Sequence, residues 1–279
     1  MEVIVAESAG FCYGVSRALN TVLKAAESRE KPMFTLGPLI HNPQVIERLE
    51  SSGIRTVSDP SEIPPGSIIV MPSHGVSEAV MDRARSAGFE IIDLTCPFVA
   101  KVHRVVGSLA KHGYQVMIVG DKGHTEVRGI LSMAGDDAIV VSGASELSEC
   151  TLKRRVGIVA QTTQSIERYR EVVAEASSRA YEVRAYNTIC NATSDRQKAS
   201  LEVAGHADVM LVIGGRNSAN TRRLAEICAE TGVPTHHVEV ADEIAPEWFA
   251  GTARVGVTAG ASTPDWIIED VLARLRSMG

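Results

Sequence analysis

Short apolar runs of strand length recur along the chain, and stretches with amphipathic helical spacing fall between them almost from end to end. Continuous runs such as residues 68–71 and 116–119 read as parallel strands buried on both faces, because they show no alternation between apolar and polar positions. Strands are expected at 3–6, 33–36, 68–71, 90–94, 115–119, 139–141, 156–160, 183–186, 209–213 and 255–258. Helices are expected at 15–27, 43–51, 78–86, 98–111, 166–177, 196–204, 220–230 and 265–276. This alternation is that of an α/β fold, with mainly parallel sheets and helices on their faces.

A weak internal repeat lies over this pattern. Cys12 and Cys96 are 84 positions apart and Cys96 and Cys190 are 94 apart, each about a third of the 279 residues. Each sits just after a strand-like segment and just before a helix, in Gly-Phe-Cys-Tyr-Gly, Leu-Thr-Cys-Pro-Phe and Thr-Ile-Cys-Asn-Ala. Three similar α/β domains are the simplest account, spanning 13–95, 96–188, and 1–12 together with 189–279. In such sheets the strand C-termini line the ligand crevice.

Charge narrows the partners. Twenty-eight basic residues against 34 acidic give a net charge of −6, with no block of one sign, which disfavours nucleic acid and anionic membranes. Acidic Glu2 and Glu7 stand where a signal peptide would carry Lys or Arg, and the apolar runs are too short to cross a bilayer. A cytoplasmic protein is expected. Its five cysteines are then poor disulfide candidates and open the question of metal binding or catalysis.

Cys228 shares a helical stripe with Leu224 and Ile227 and reads as a small core hydrophobe, and Cys150 reads as an incidental thiol in a polar loop. Cys12, Cys96 and Cys190 differ by context. Gly10 and Gly14 flank the first, Pro97 follows the second, and a thiolate at a helix start is favoured by the helix dipole. Three thiolates leave zinc and an iron-sulfur cluster open, and a cubane held by three would keep one iron without a protein ligand.

A second constellation lies at other strand ends. His41, His74, His124 with Glu126, Gln161 to Thr163, Ser218 to Asn220, and Ser262 stand close to glycines in polar loops. Imidazole, hydroxyl and amide donors in that setting suit a phosphorylated ligand. His103, His112, His206, His236 and His237 lack it and read as surface or packing residues. Apart from Asp265, Glu126 is the only carboxylate in the set, either a proton donor with a pKa raised by burial or a charge favouring a helix dipole. No P-loop is present and no G-x-G-x-x-G follows the first strand, so a nucleotide cofactor is unsupported.

Over nearly its whole length the chain resembles the 4-hydroxy-3-methylbut-2-enyl diphosphate reductases, the LytB or IspH family. The resemblance rests on Ala-Gly-Phe-Cys-Tyr-Gly-Val at 9–15, Gly-Pro-Leu-Ile-His-Asn at 37–42, Ser-His-Gly-Val at 73–76 and Asp-Leu-Thr-Cys-Pro at 93–97. It continues in Gly-His-Thr-Glu-Val at 123–127, Gln-Thr-Thr at 161–163 and Asn-Thr-Ile-Cys at 187–190 with Ala192, Thr193, Arg196 and Gln197. Asn-Ser-Ala-Asn at 217–220 and Thr-Ala-Gly-Ala-Ser at 258–262 complete it.

The resemblance implies three α/β lobes around one [4Fe-4S] cluster per chain, with Cys12, Cys96 and Cys190 as ligands and the fourth iron open. It implies reductive dehydroxylation of the allylic diphosphate to isopentenyl and dimethylallyl diphosphate, the last step of the methylerythritol phosphate pathway. His41, His74, His124, Ser218, Asn220 and Ser262 match the diphosphate contacts, and Glu126 with Thr162 matches the proton-delivery pair, beside His124. A one-electron donor such as ferredoxin or flavodoxin is the implied partner. The chain departs from the common pattern at Tyr13, Thr125 and Ala219, and only Ala219, where a second serine is usual, touches the site. Two other classes fit the cysteines: a non-catalytic iron-sulfur sensor of a phosphate effector, and a zinc hydrolase.

Overall fold

The computed structural model describes residues 1–28 and 30–278; Arg29 and Gly279, which fall in the first and third expected domains, lie outside the described residues. The chain begins with β1 (Glu2–Val5), α1 (Tyr13–Ser28), β2 (Met33–Leu36), α2 (Pro43–Ser51), β3 (Ile54–Val57), β4 (Ile68–Met71), α3 (Glu78–Ser86) and β5 (Glu90–Asp93). It continues through α4 (Pro97–Lys111), β6 (Gln115–Val119), α5 (Thr125–Leu131), β7 (Ile139–Val141), β8 (Arg155–Ala160), α6 (Ile166–Arg179) and β9 (Glu182–Tyr186). The last part holds α7 (Asn191–Ala204), β10 (Val209–Ile213), α8 (Ala219–Glu230), β11 (Thr235–Val238), β12 (Arg254–Ala259) and α9 (Asp265–Met278).

These strands form three four-stranded sheets, ordered β3-β2-β4-β5, β7-β6-β8-β9 and β11-β10-β12-β1, and every pairing is parallel. The expected class, three similar α/β domains with parallel sheets, is the observed one. The order is the same in each sheet, with β1 brought from the start of the chain to fill the fourth place of the third. The chain divides into two compact units. One comprises Met1–Val15, His41–Val45 and Asn191–Gly279 and holds the third sheet; the other comprises Ser16–Ile40 and Ile46–Cys190 and holds the first and second.

The central strands β2, β4, β6 and β10 match their expected limits because burial on both faces demands apolar residues throughout, while β8 starts one residue earlier than expected and β12 is one residue longer at each end. All residues of β4, β6 and β10 are buried. In β6, Met117 and Val119 pack into one core cluster while Val116 and Ile118 pack into another, as the two-residue side-chain period requires. Each such side chain contributes roughly 1.5–3 kcal/mol by burial.

Two strands and one α-helix were not expected. β3 (Ile-Arg-Thr-Val) and β11 (Thr-His-His-Val) are edge strands that pair only with β2 and β10, so polar residues cost them little. α5 spans seven residues and includes Gly129, too short to display a helical period.

Candidate active site

In each sheet the chain runs from its first strand to one side and then returns to the other, which makes a switch point between the C-terminal ends of the first and third strands. The first strands β2, β6 and β10 end at Leu36, Val119 and Ile213, and five residues on stand His41, His124 and Ser218. The third strands β4, β8 and β12 end at Met71, Ala160 and Ala259, and two residues on stand Ser73, Thr162 and Ala261. The expected polar residues therefore occupy repeated positions of one backbone design.

The cysteines share that design. Each follows the fourth strand of its sheet, and its amide donates to the carbonyl of that same third-strand position: Cys96 to Ser73 at 2.8 Å, Cys190 to Thr162 at 3.1 Å and Cys12 to Ala261 at 3.1 Å. Cys96 is the N-cap residue of α4, followed by Pro97, and its thiol makes no capping bond. Cys190 and Cys12 immediately precede α7 and α1. All three are half-buried, and no disulfide is present among the described residues. Cys228, by contrast, is sealed in the core, where burial pushes its thiol up to about 12, and Cys150 donates to the Glu146 carbonyl at 3.3 Å. Soft anionic donors at helix starts fit a thiolate-ligated metal cluster, and Cys228 does not. Among the described residues no group of three His, Cys, Asp or Glu side chains is gathered to hold a metal ion.

In the unit that holds the second sheet, Glu126 lies on the first turn of α5 and is 3% exposed. Its side chain leaves its own helix and crosses the switch point. The Thr162 amide donates to Oε1 at 2.7 Å and the Thr162 hydroxyl donates to Oε2 at 2.8 Å. Burial pushes this carboxyl up to about 7, against the two Thr162 hydrogen bonds, which pull it down, with Asp121 adding a smaller upward push. The helix-dipole reading of Glu126 also fits its place on the first turn of α5, while its oxygens bond to Thr162. His124 caps α5: its Nδ1 accepts the Glu126 amide at 3.2 Å, so the proton of the neutral ring sits on Nε2. Gln161 spans the same crevice, accepting from the Asp121 amide at 2.8 Å and donating to Thr163 at 2.9 Å, so its amide acts as a clamp. His74 is buried between Ser73, whose hydroxyl donates to the Leu39 carbonyl at 3.0 Å, and Gly75.

In the other unit the structure brings together His41, Ser218, Asn220 and Ser262. The Ser262 hydroxyl donates to the His41 carbonyl at 3.2 Å and lies 3.5 Å from the Ser218 hydroxyl. A methyl group on Gly215 would sit 2.6 Å from that same carbonyl, so only glycine allows this approach. Ser218 caps α8 through the Thr221 amide at 3.3 Å. Asn220 Oδ1 accepts the Ala261 amide at 2.9 Å, while its Nδ2 is buried with no hydrogen-bond partner among the described residues. Burial, and secondarily the charge of Arg222, hold the His41 imidazole below its ordinary 6.5. Buried Arg196 donates to the Gly10 carbonyl at 2.8 Å and so ties α7 to the loop that carries Cys12.

Sequence reasoning missed Arg222 and Gly215. The first could have been found as a cation one turn into a helix that starts at a candidate site, and the second as half of a Gly-Gly pair after a strand. Of the remaining histidines, His236 stacks on Trp248 at 4.0 Å, and His237 and His112 bond to the carbonyls of Gly214 and Ser108, both at 2.7 Å.

The family model described as LytB protein matches residues 3–276. The chain belongs to the LytB family. The 4-hydroxy-3-methylbut-2-enyl diphosphate reductase of Pelobacter propionicus is 50% identical over 99% of this chain and 98% of its own length. The enzyme of that name from Aquifex aeolicus is 44% identical over 100% of this chain and 97% of its own. A solved (E)-4-hydroxy-3-methyl-but-2-enyl diphosphate reductase, described as the terminal enzyme of the non-mevalonate pathway, is 45% identical, with TM-score 0.71 over 99% of this chain and 100% of its own. The E-1-hydroxy-2-methyl-but-2-enyl-4-diphosphate reductase of Plasmodium falciparum is 26% identical, with TM-score 0.93 over 98% of this chain and 87% of its own.

Proposed function

We propose that this chain reduces 4-hydroxy-3-methylbut-2-enyl diphosphate to isopentenyl and dimethylallyl diphosphate, the last step of the methylerythritol phosphate pathway. The reading is supported by membership of a family whose relatives carry that name. The single observation that carries it is the sealed Glu126 carboxyl, held at about 7 against the hydroxyl of Thr162. At neutral pH such a group is divided between its acid and its base, as proton delivery requires.

Net reduction of the allylic alcohol consumes two electrons and two protons: a C–O bond breaks, a C–H bond forms and the oxygen leaves as water. Cys12, Cys96 and Cys190 are the three ligands we assign to a [4Fe-4S] cluster, one per chain, with the fourth iron open. Such a cluster would supply electrons one at a time and a Lewis-acidic iron. When Glu126 takes up a proton, its bond to Thr162 reverses and the threonine hydroxyl becomes the donor to the crevice. His124, held as a capping group beside Glu126, contributes its Nε2 proton to the same crevice. His41, Ser218, Asn220 and Ser262, with His74 and His124, bind the diphosphate, and the N-terminus of α8 adds its dipole. The electron source is a carrier such as ferredoxin or flavodoxin, and we assign the enzyme to the cytoplasm. No helix among the described residues is long and apolar enough to cross a membrane.

The test is anaerobic assembly with iron and sulfide, followed by metal and sulfide analysis and product detection with a reducing dye. Four irons and four sulfides per chain, with both diphosphate products, are expected. Zinc without inorganic sulfide, or a full cluster that leaves the substrate unchanged, overturns the reading.

A further inference from the structure

The covering helix of a parallel sheet leaves a groove where it meets the fourth, edge strand, and this molecule repeats that groove with opposite charge. In the third sheet, Ile4 and Val5 of β1 face Ala199, Glu202 and Val203 of α7 across a cavity of 360 Å³ that also has Glu7 and His206 on its wall. In the second sheet, α4 and β9 make the equivalent groove, a cavity of 410 Å³ lined by Lys101, Arg104, Val105, Ser108 and Tyr186. No carboxylate is among its lining residues.

Lys101 and Arg104 are exposed and make no ion pair or hydrogen bond among the described residues. Of the other basic side chains of this lobe, Arg155 and Arg184 pair with Glu182, Lys153 with Asp137 and Lys122 with Glu146, while Lys111, Arg128 and Arg170 are exposed but do not line the groove. Two unpaired cations beside an aromatic ring that is 42% exposed form a local basic and apolar surface on a chain of net charge −6. Phe98, on the first turn of α4, is exposed as well. Uncompensated charge around an apolar floor is the composition of a recognition surface for an acidic protein.

The position of the groove matters as much as its charge. Lys101 is five residues into the chain from Cys96, roughly 7.5 Å along the helix axis, and Tyr186 precedes Cys190 by four residues, at most about 14 Å of extended chain. Both walls of the groove therefore end at a candidate ligand of the electron-accepting group. We propose that this groove docks the one-electron carrier, an acidic protein whose carboxylates meet Lys101 and Arg104 while Tyr186 packs against its apolar rim. The acidic groove of the third sheet would repel such a partner. The proposal rests on the reductase reading and adds to it where electrons enter.

Binding is measured directly, by titrating a flavodoxin and, separately, an acidic ferredoxin into the cluster-loaded chain by calorimetry. At least one is expected to bind, and to bind more weakly as ionic strength rises from about 0.01 to about 0.15 M and the Debye length falls from about 30 to about 8 Å. Lys101→Glu and Arg104→Glu are each expected to weaken Kd about tenfold at low salt, Tyr186→Ala to weaken it less, and Glu202→Gln to leave it unchanged. With dithionite as a small reductant, kcat of the charge-reversed proteins stays within twofold of wild type, which also reports that they fold. Overturning results are that neither carrier binds, or that both reversals leave Kd within twofold. Wild-type protein that binds the carrier but turns over with no reductant would instead remove the reductase reading and leave the docking surface standing.

Discussion

The switch points of the second and third sheets are built on the same backbone and do opposite electrostatic work. Seven residues past the first strand stands Glu126 in one and Asn220 in the other, and each accepts the amide of the residue two past the third strand, Thr162 at 2.7 Å and Ala261 at 2.9 Å. In the second sheet the Thr162 hydroxyl satisfies the other carboxyl oxygen, the site is closed to water and the acid is pushed up to about 7. In the third, Ala261 has no hydroxyl to offer, so Asn220 keeps a buried N–H donor unspent. One scaffold thus holds a carboxyl pushed up to about 7 in one lobe and an unspent amide donor in another, and the side chains at two positions decide which. The first sheet has Pro43 in place of the acid or amide, and its Ser73 amide bonds to the Leu39 carbonyl at 3.2 Å.

The largest expected effect falls on the element common to all three lobes. Replacing Cys12, Cys96 or Cys190 by alanine is expected to abolish the bound iron and sulfide, while Cys150→Ala and Cys228→Ala retain both. Retention of a full cluster by any of the first three variants contradicts the ligand set.

Next is the acid itself. Glu126→Gln should keep cluster and substrate affinity and lose roughly 10²–10⁴-fold in turnover. Its stability changes in the opposite sense. The folded carboxyl lies near 7 instead of its ordinary 4.5, so the fold binds a proton that the unfolded chain has released. That contribution is fully present below 4.5 and is lost as pH rises through 7, about 3 kcal/mol in all. Wild-type unfolding midpoints should therefore decline from about pH 5 to about pH 8 while those of the Glu126→Gln protein do not. Parallel declines in both proteins would place the titration elsewhere.

Converting the third crevice toward the second is the next sharper test. Asn220→Ala removes a donor to a charged ligand and is expected to weaken substrate binding roughly 10- to 100-fold, since such bonds are worth about 1.5–3 kcal/mol. Asn220→Asp, which places a carboxylate at a proposed diphosphate contact, should weaken it further. Equal Kd values for the two variants would show that charge at this position does not face the ligand.

The smallest effect comes from making the second crevice like the third. Thr162→Ala removes a hydrogen bond that lowers the Glu126 pKa, so the alkaline limb of the rate profile should move to higher pH, on a reduced maximum. A limb that moves to lower pH would mean that another group controls the profile.

Much of the candidate site was readable along the chain because its residues sit in short polar loops at the ends of apolar runs. His41, His74, His124, Ser218, Ser262 and the three cysteines were all singled out that way, and the cysteine spacing disclosed the repeat. What could not be read was pairing. Glu126 and Thr162 are separated by 36 positions, and their contact depends on β6 and β8 lying side by side in parallel register. The same holds for Ser262 on the His41 carbonyl, 221 positions apart. The edge strands β3 and β11 escaped notice for the converse reason, since half-solvated backbone tolerates the arginine and histidines that an apolar search passes over.

The sequence by itself determined the α/β class, the central strands and the residue types available for chemistry, because burial on two faces and the conformational needs of loops act locally on composition. Tertiary structure alone decided which of those residues act together and in what protonation state. Glu126 is an ordinary carboxylate in the chain; it becomes an acid near neutrality because folding removes its water and leaves Thr162 as its partner.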